Sequence, residues 1–455
     1  MATTLKMRAL DPAWKFALGA FIAMRVALTA WSLIVVLLLP VVPQNLDLFG
    51  APVLAVFDAQ TNERYAYSRV VDGRVLTFRA GARGFVEDIA TGSVWSLRQA
   101  RALDGEFAGR ALAASPYPVE QIYPYYGVAP ATNLLLAPWQ RFDTNWYLAI
   151  ATRGYGSVEG DAHFPPLYPA LMRGLGAMLG GNFFLAALLI SNLTLIAALA
   201  ILHQLARELF GATIAARTIA YLVIFPTAFF FFCAYTESPF LLVALLALRA
   251  LRRRAWVWAG FWSFCAILLR LQGVALFVPL AYALGQARPF DHKRARASAL
   301  ALPLLASGLY LAMRWLTGDP SVVPLAETTL HARLAPPWEN YFYALATILS
   351  GRFHLADALN LISTTFCAIV LVIGWRALPR EFSLFAAASL IVLTMRVVET
   401  QPLNSMSRYA LTLFPIFIVL AHWGKKPWAQ RAIVYGSFML ALFLSAQFVL
   451  WGWVG

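Results

Sequence analysis

The chain has 455 residues, of which 60% are hydrophobic and 13% charged, against roughly 25% charged in soluble domains, and its mean hydropathy is +0.67. This excludes a soluble globular enzyme and points to a polytopic membrane protein. The net charge of +14 would suit nucleic acid only as a basic patch; the basic residues instead lie in short loops between apolar runs, so no nucleic-acid partner is expected.

In chain order, an N-terminal segment (1–43) carries the first apolar run, about residues 14–39. That run exceeds the roughly 7–15 residues of a signal-peptide core and reads as a retained helix. Residues 44–140 differ in kind: "VLAVFD", "ERYAYSRVV" and "GRVLTFRA" are β-branched and aromatic runs, and Asp72-Gly73 is a hairpin signal. They predict a small, partly β extracytoplasmic insertion, ending in the Pro/Tyr-rich "SPYPVEQIYPYYGVAP". A first-loop segment with interfacial helices (141–182) follows, then a transmembrane bundle over 183–455.

A crossing helix needs about 20 apolar residues. Further spans are predicted near 183–205, 214–232, 238–250, 255–270, 273–287, 297–316, 358–375, 382–397, 408–423 and 431–453, which with the first makes about eleven. The run 238–250 is short, and 255–287 also reads as one long helix broken at "RLQG". Keeping both crossings leaves the basic loops 251–255, 288–296, 375–380 and 423–431 on one side, together with Lys6, Arg8, Lys15, Arg207 and Arg217. The positive-inside rule makes that side cytoplasmic, with the N-terminus inside and the C-terminus outside. Cys233, Cys265 and Cys367 share no close spacing, so neither a disulfide framework nor a zinc site is expected. No transporter-like pair of repeated halves, P-loop, dinucleotide fingerprint or zinc-protease motif is evident.

On this topology Asp143, His163, Glu237, Glu399 and Arg408 fall at the non-cytoplasmic face, with Arg270 and Arg396 close to it. Each has a structural reading. Asp143 suits a helix cap, Glu237 a helix N-terminus, Arg270 and Arg408 interface anchors, and His163 a loop. Ionisable groups among membrane helices are nevertheless functional candidates. A lipid-phosphate-linked sugar presents its head at that surface. Its transfer needs a carboxylate to take the acceptor's proton and cations to hold the departing phosphate.

These residues also carry a resemblance. "FDTNWYLAIATRGY" followed by "FPPLYPALMR" resembles the first-loop signature of the PIG-V family, the GPI mannosyltransferase 2 relatives within the GT-C class of membrane glycosyltransferases. "AYTESPF" (234–240), "RLQG" (270–273) and "SRYALTLFP" (407–415) resemble further motifs of that family, in order. Phe142 stands where Trp is usual, Gln272 where Asn is common, and Pro165 interrupts the aromatic pair before "PLYP".

The resemblance implies a GT-C-type helical bundle and inverting transfer of mannose from a polyprenyl-phosphate donor to a glycolipid or glycan acceptor, without a nucleotide sugar; no metal cluster is evident in the sequence, and no cofactor or metal is expected. It implies a base role for Asp143, and Glu237, Arg270, Arg408, His163, Tyr168 and Gln272 are expected at substrate-binding positions. Arg408 and Arg270 are expected at the donor phosphate, and Glu237 is expected to orient a sugar or a cation. Membrane lipid is a further expected partner, and an accessory subunit is left open. The membrane would be the plasma membrane in a bacterium or the endoplasmic reticulum in a eukaryote. The rival readings are a transporter or flippase of lipid-linked sugar, which would need a pathway to the cytoplasmic side, and a ligase using a diphosphate-linked glycan.

Overall fold

The computed structural model describes residues 11–39, 41–48, 50–287, 293–317, 332–351, 353–398 and 401–454. Glu399, Lys6, Arg8 and the start of the 288–296 basic loop lie outside the described residues.

Helix α1 (Pro12–Leu38) leads into strands β1 (Val41–Leu48), β2 (Ala51–Asp58), β3 (Arg64–Ser68), β4 (Val70–Val71), β5 (Arg74–Val75), β6 (Phe78–Ala80), β7 (Phe85–Asp88), β8 (Val94–Ser96) and β9 (Arg101–Ala102). Then come α2 (Val119–Ile122), α3 (Asp143–Arg153), α4 (Leu167–Met178), α5 (Phe183–Phe210), α6 (Ala212–Val223), α7 (Glu237–Arg252), α8 (Trp256–Leu269) and α9 (Phe277–Gly285). The remainder is α10 (Lys293–Leu316), β10 (Ala332–Leu334), α11 (Pro337–Leu349), α12 (Leu355–Gly374), α13 (Arg380–Thr394), β11 (Arg396–Val398), α14 (Met406–Tyr409), α15 (Phe414–Trp423) and α16 (Pro427–Val449). The chain forms two compact units: residues 27–149 with 445–453, and the described residues of 1–26, 150–444 and 454–455.

The first of these units holds β1 to β9. Strands β1, β2 and β3 form an antiparallel meander, with Val41 opposite Asp58 and Val53 opposite Ser68. Strands β6 to β9 form a second meander. Between them β4 and β5 make the hairpin expected at Asp72-Gly73, whose φ angles of 49° and 78° are the left-handed pair that a two-residue hairpin loop requires. Leu54, Val56, Phe78, Trp95 and Phe107 fill the core of this unit.

A short duplication passes unnoticed in the sequence. Asp58 and Asp88 each end a strand and accept the backbone N–H groups two and three residues on, at Gln60 and Thr61 and at Ala90 and Thr91. In both loops the N–H four residues on closes on the aspartate carbonyl at 2.8 Å.

A second cluster in this unit surrounds Arg141, which is 1% exposed. Its Nε donates to the Val449 carbonyl at 3.0 Å and its Nη1 to the Ala137 carbonyl at 2.8 Å, while the guanidinium lies 4.8 Å over Phe57 and 5.2 Å over Trp451. A lysine has neither the planar fork nor the stacking face. Arg141→Lys is therefore expected to cost about 2–3 kcal/mol, read as earlier proteolysis of the strand region on heating. A melting profile identical to wild type would refute that role.

In the other unit, α5 packs on α6 and α7, α7 on α8, α8 on α10, and α6 on α15. Gly260 lets α8 approach α10 closely, because a Cβ there would stand 2.5 Å from the Ser298 carbonyl oxygen. Each of the eleven apolar runs contains helix, but the predicted count of eleven spans is not reached. Among the described residues five helices are long and apolar enough to cross a membrane, or six if a bent pair is one span.

α7 and α13 are unbroken but short, at 16 and 15 residues, and local breaks account for the rest of the shortfall. Pro226 follows the end of α6, the chain turns at 270–276 between α8 and α9, and the 406–423 run bends by 80° before Pro415. The multi-pass membrane character stands on the long helices.

Candidate functional site

Helices α7 and α8 form a hairpin whose tight turn carries Arg252, Arg253 and Arg254. Its open end therefore brings together the first residue of α7, Glu237, and the residue that leaves α8, Arg270. Arg270 is extended (φ −155°, ψ 138°), so its side chain departs from the helical path. Gly273 permits the reversal that follows: a Cβ there would lie 2.5 Å from the backbone of Ala266 and Ile267.

The pair meets in the interior. Arg270 Nη1 donates to Glu237 Oε1 at 2.6 Å and to Thr236 Oγ1 at 3.2 Å. Arg408 comes from the distant α14, with its Nε 3.3 Å from the same carboxylate oxygen. Exposure is 0% for Glu237, 9% for Arg270 and 5% for Arg408. The Tyr409 ring serves both cations, 4.5 Å from the Arg270 guanidinium and 5.0 Å from that of Arg408, and Arg408 also faces the Tyr235 ring at 5.3 Å.

Two guanidinium groups thus converge on one carboxylate oxygen. The second oxygen, Glu237 Oε2, is buried with no hydrogen-bond partner among the described residues. The N-terminus of α7 further favours the carboxylate.

The segment bearing Arg408 is fixed one residue earlier. Ser407 N donates to Asn360 Oδ1 at 3.0 Å, its carbonyl accepts Thr227 Oγ1 at 2.8 Å, and its Oγ donates to the Val454 carbonyl at 2.9 Å. Gln272 binds the Thr412 hydroxyl through Nε2 at 2.9 Å, tying the turn after Arg270 to the turn after Arg408.

Other expected residues take supporting places. Tyr168 is fully buried on α4; its hydroxyl lies 2.8 Å from Ser191 Oγ, which donates to the Tyr235 carbonyl beside the site. His163 sits in a turn, with Nδ1 2.8 Å from the Gly160 carbonyl and its own carbonyl accepting the Tyr310 hydroxyl. Asp161 closes that loop by accepting the N–H groups of Gly156, Ser157 and Val158. The carbonyl of Arg396 accepts the Asn340 amide.

Asp143 belongs to the strand-bearing unit, where it is half-buried at the start of α3 after Phe142, which has φ 47°. Its charge contributes, after burial, to holding the Tyr126 phenol above its ordinary range. Among the described residues no group of three or more His, Cys, Asp or Glu side chains is placed to hold a metal.

No family model matches the sequence, and no curated protein matches it. Among solved structures, the chain is similar to the oligosaccharyltransferase of Archaeoglobus fulgidus. In the apo form the TM-score is 0.35 at 13% identity, over 68% of this chain and 52% of that one. In the complex with zinc and sulfate the values are 0.34 and 15%, over 62% and 44%. With a tethered acceptor peptide containing the NVT sequon they are 0.34 and 13%, over 64% and 47%. The chain thus matches about half the length of that protein. At TM-scores this low the likeness defines neither fold nor activity.

Sequence reading missed Asn360, Thr227, Thr236 and Tyr409. Tyr409 had a signal, an aromatic directly after Arg408. The other three are ordinary polar residues whose importance lies in long-range partners.

Proposed function

We propose that this chain is a membrane glycosyltransferase of the GT-C type, transferring a sugar from a polyprenyl-phosphate donor to a glycolipid or glycan acceptor on the non-cytoplasmic face. The observation that carries the reading is the buried Glu237, Arg270 and Arg408 trio, in which two guanidinium groups converge on one carboxylate among apolar helices. A guanidinium fork matches the geometry of a phosphate, and a lipid-linked phosphate is an anion of that kind. The PIG-V-like motifs contain all three residues and favour mannose as the sugar. The position of the trio also supports the outer face, because it lies at the opposite end of the α7 and α8 hairpin from the arginine-rich turn.

In the mechanism, Asp143 takes the proton from the acceptor hydroxyl. The freed oxygen electron pair attacks the anomeric carbon opposite the phosphate, and the bond from that carbon to the phosphate oxygen breaks. Polyprenyl phosphate departs with the bonding electrons, and the anomeric centre is inverted. Arg408 and Arg270 hold the phosphate as its charge grows, in a water-poor site where such contacts are strongest. Glu237 holds both guanidinium groups in place.

The direct test is transfer of labelled mannose from synthetic polyprenyl-phosphate-mannose in membranes containing the chain, with endogenous lipids and proteins as acceptors. A labelled product made only when the chain is present is expected; its absence with folded protein overturns mannose as the sugar. Arg408→Ala is expected to raise the donor concentration needed for half-maximal transfer by about tenfold or more, the loss of one charge-assisted contact. Donor dependence unchanged from wild type removes Arg408 from the phosphate site. Activity is expected to persist in chelator, and loss that a divalent ion restores would contradict this mechanism.

A further inference from the structure

A separate cleft lies wholly within the strand-bearing unit. Its volume is about 480 Å³ and it is lined by Arg64, Glu120 and residues 125–129. Small-molecule sites commonly have roughly 300–1,000 Å³.

Its construction is specific. Tyr126 stands at φ 51°, a left-handed conformation unusual for a bulky aromatic residue, so neighbouring packing has to maintain it. That packing is visible: the Tyr126 ring lies against Trp146, with centroids 4.0 Å apart. Trp146 is one helical turn after Asp143 on α3. Between them Asn145, 0% exposed, donates Nδ2 to the Pro124 carbonyl at 3.0 Å, so the cleft wall and the helix bearing Asp143 are joined. Asn145 Oδ1 is buried with no hydrogen-bond partner among the described residues.

The cleft also carries a defined set of chemical groups. Arg64 is held by donation to the Tyr123 carbonyl at 3.1 Å, and its guanidinium lies 4.8 Å over the Tyr125 ring. The Tyr125 hydroxyl receives Arg141 Nη1 at 3.4 Å from the buried side. Glu120 is exposed.

A fixed guanidinium, an exposed carboxylate and a half-buried tyrosine ring suit one ligand class. The carboxylate accepts from hydroxyl groups, the guanidinium donates to them, and the Tyr126 ring covers the apolar face of a saturated ring. A phosphate would meet Glu120, and an acyl chain would desolvate both charges without pairing them. We infer that this cleft binds an uncharged polyhydroxylated ring, a sugar portion of the acceptor, and presents it towards the helix that starts at Asp143. The acceptor role rests on the glycosyltransferase reading above; the binding does not.

The test is saturation-transfer NMR with methyl α-mannoside and with methyl α-glucoside as probes, on the full chain in lipid nanodiscs. Transfer to ring protons of at least one probe is expected for wild type and for Arg408→Ala. Glu120→Ala is expected to weaken binding about tenfold, as for loss of hydrogen bonds to a charged group. Glu120 is exposed, so this variant is expected to keep the elution profile of the folded protein; Arg64→Gln provides a second variant with the same expected direction. No transfer to either probe from wild type overturns the inference, as does equal binding by wild type and both variants. Polyol binding without mannose transfer supports the cleft while telling against mannose as the sugar transferred, so the two failures are distinct.

Discussion

Exchanging Asp143 for asparagine is expected to reduce sugar transfer by about 10²–10⁴-fold, the usual contribution of a positioned general base. Asparagine matches the shape of aspartate and is about as good at a helix start, so α3 should form as before and the amount of folded protein should be unchanged. The substitution therefore separates the two roles open to this residue. If Asp143 serves only to begin the helix, asparagine suffices and labelled mannose transfer continues at the wild-type rate. If it takes the acceptor proton, transfer is lost with no change in thermal stability.

The second large effect is structural. Glu237→Gln leaves the Arg270 and Arg408 guanidinium groups buried around a neutral amide, and removing one partner of a buried ion pair commonly costs about 3–5 kcal/mol. A lower melting temperature in detergent is expected, with recovery of part of the loss on adding polyprenyl phosphate, whose charge would replace the missing anion. Combining it with Arg270→Gln should recover stability without restoring transfer. Equal melting of Glu237→Gln and wild type would show that the shared carboxylate is not what holds the arginines.

The sequence made some of this architecture legible and hid the rest, for physical reasons that differ by element. The Asp72-Gly73 hairpin was readable because left-handed backbone at two successive positions restricts the residues allowed there. The membrane character was readable because apolar runs of crossing length have few other uses. The span count was not, because an apolar run marks burial or lipid contact without marking helix continuity; the 408–423 run reads as one span yet bends by 80°.

At the candidate site, charge was visible and geometry was not. Glu237, Arg270 and Arg408 stood out as ionisable residues among apolar neighbours, but their sharing of a single carboxylate oxygen depends on three distant segments. Asn360 left no local mark, since its amide matters only through the backbone of Ser407.

The α7 and α8 hairpin has one more consequence. At 1.5 Å per residue its helices of 16 and 14 residues measure about 24 and 21 Å, short of the roughly 30 Å of a bilayer's hydrocarbon core. α7 itself is buried or half-buried from Glu237 to Leu251. With the arginine-rich turn at one membrane surface, the open end would stop short of the other, so on the proposed reading the donor phosphate would have to follow the protein inward to meet Arg270 and Arg408.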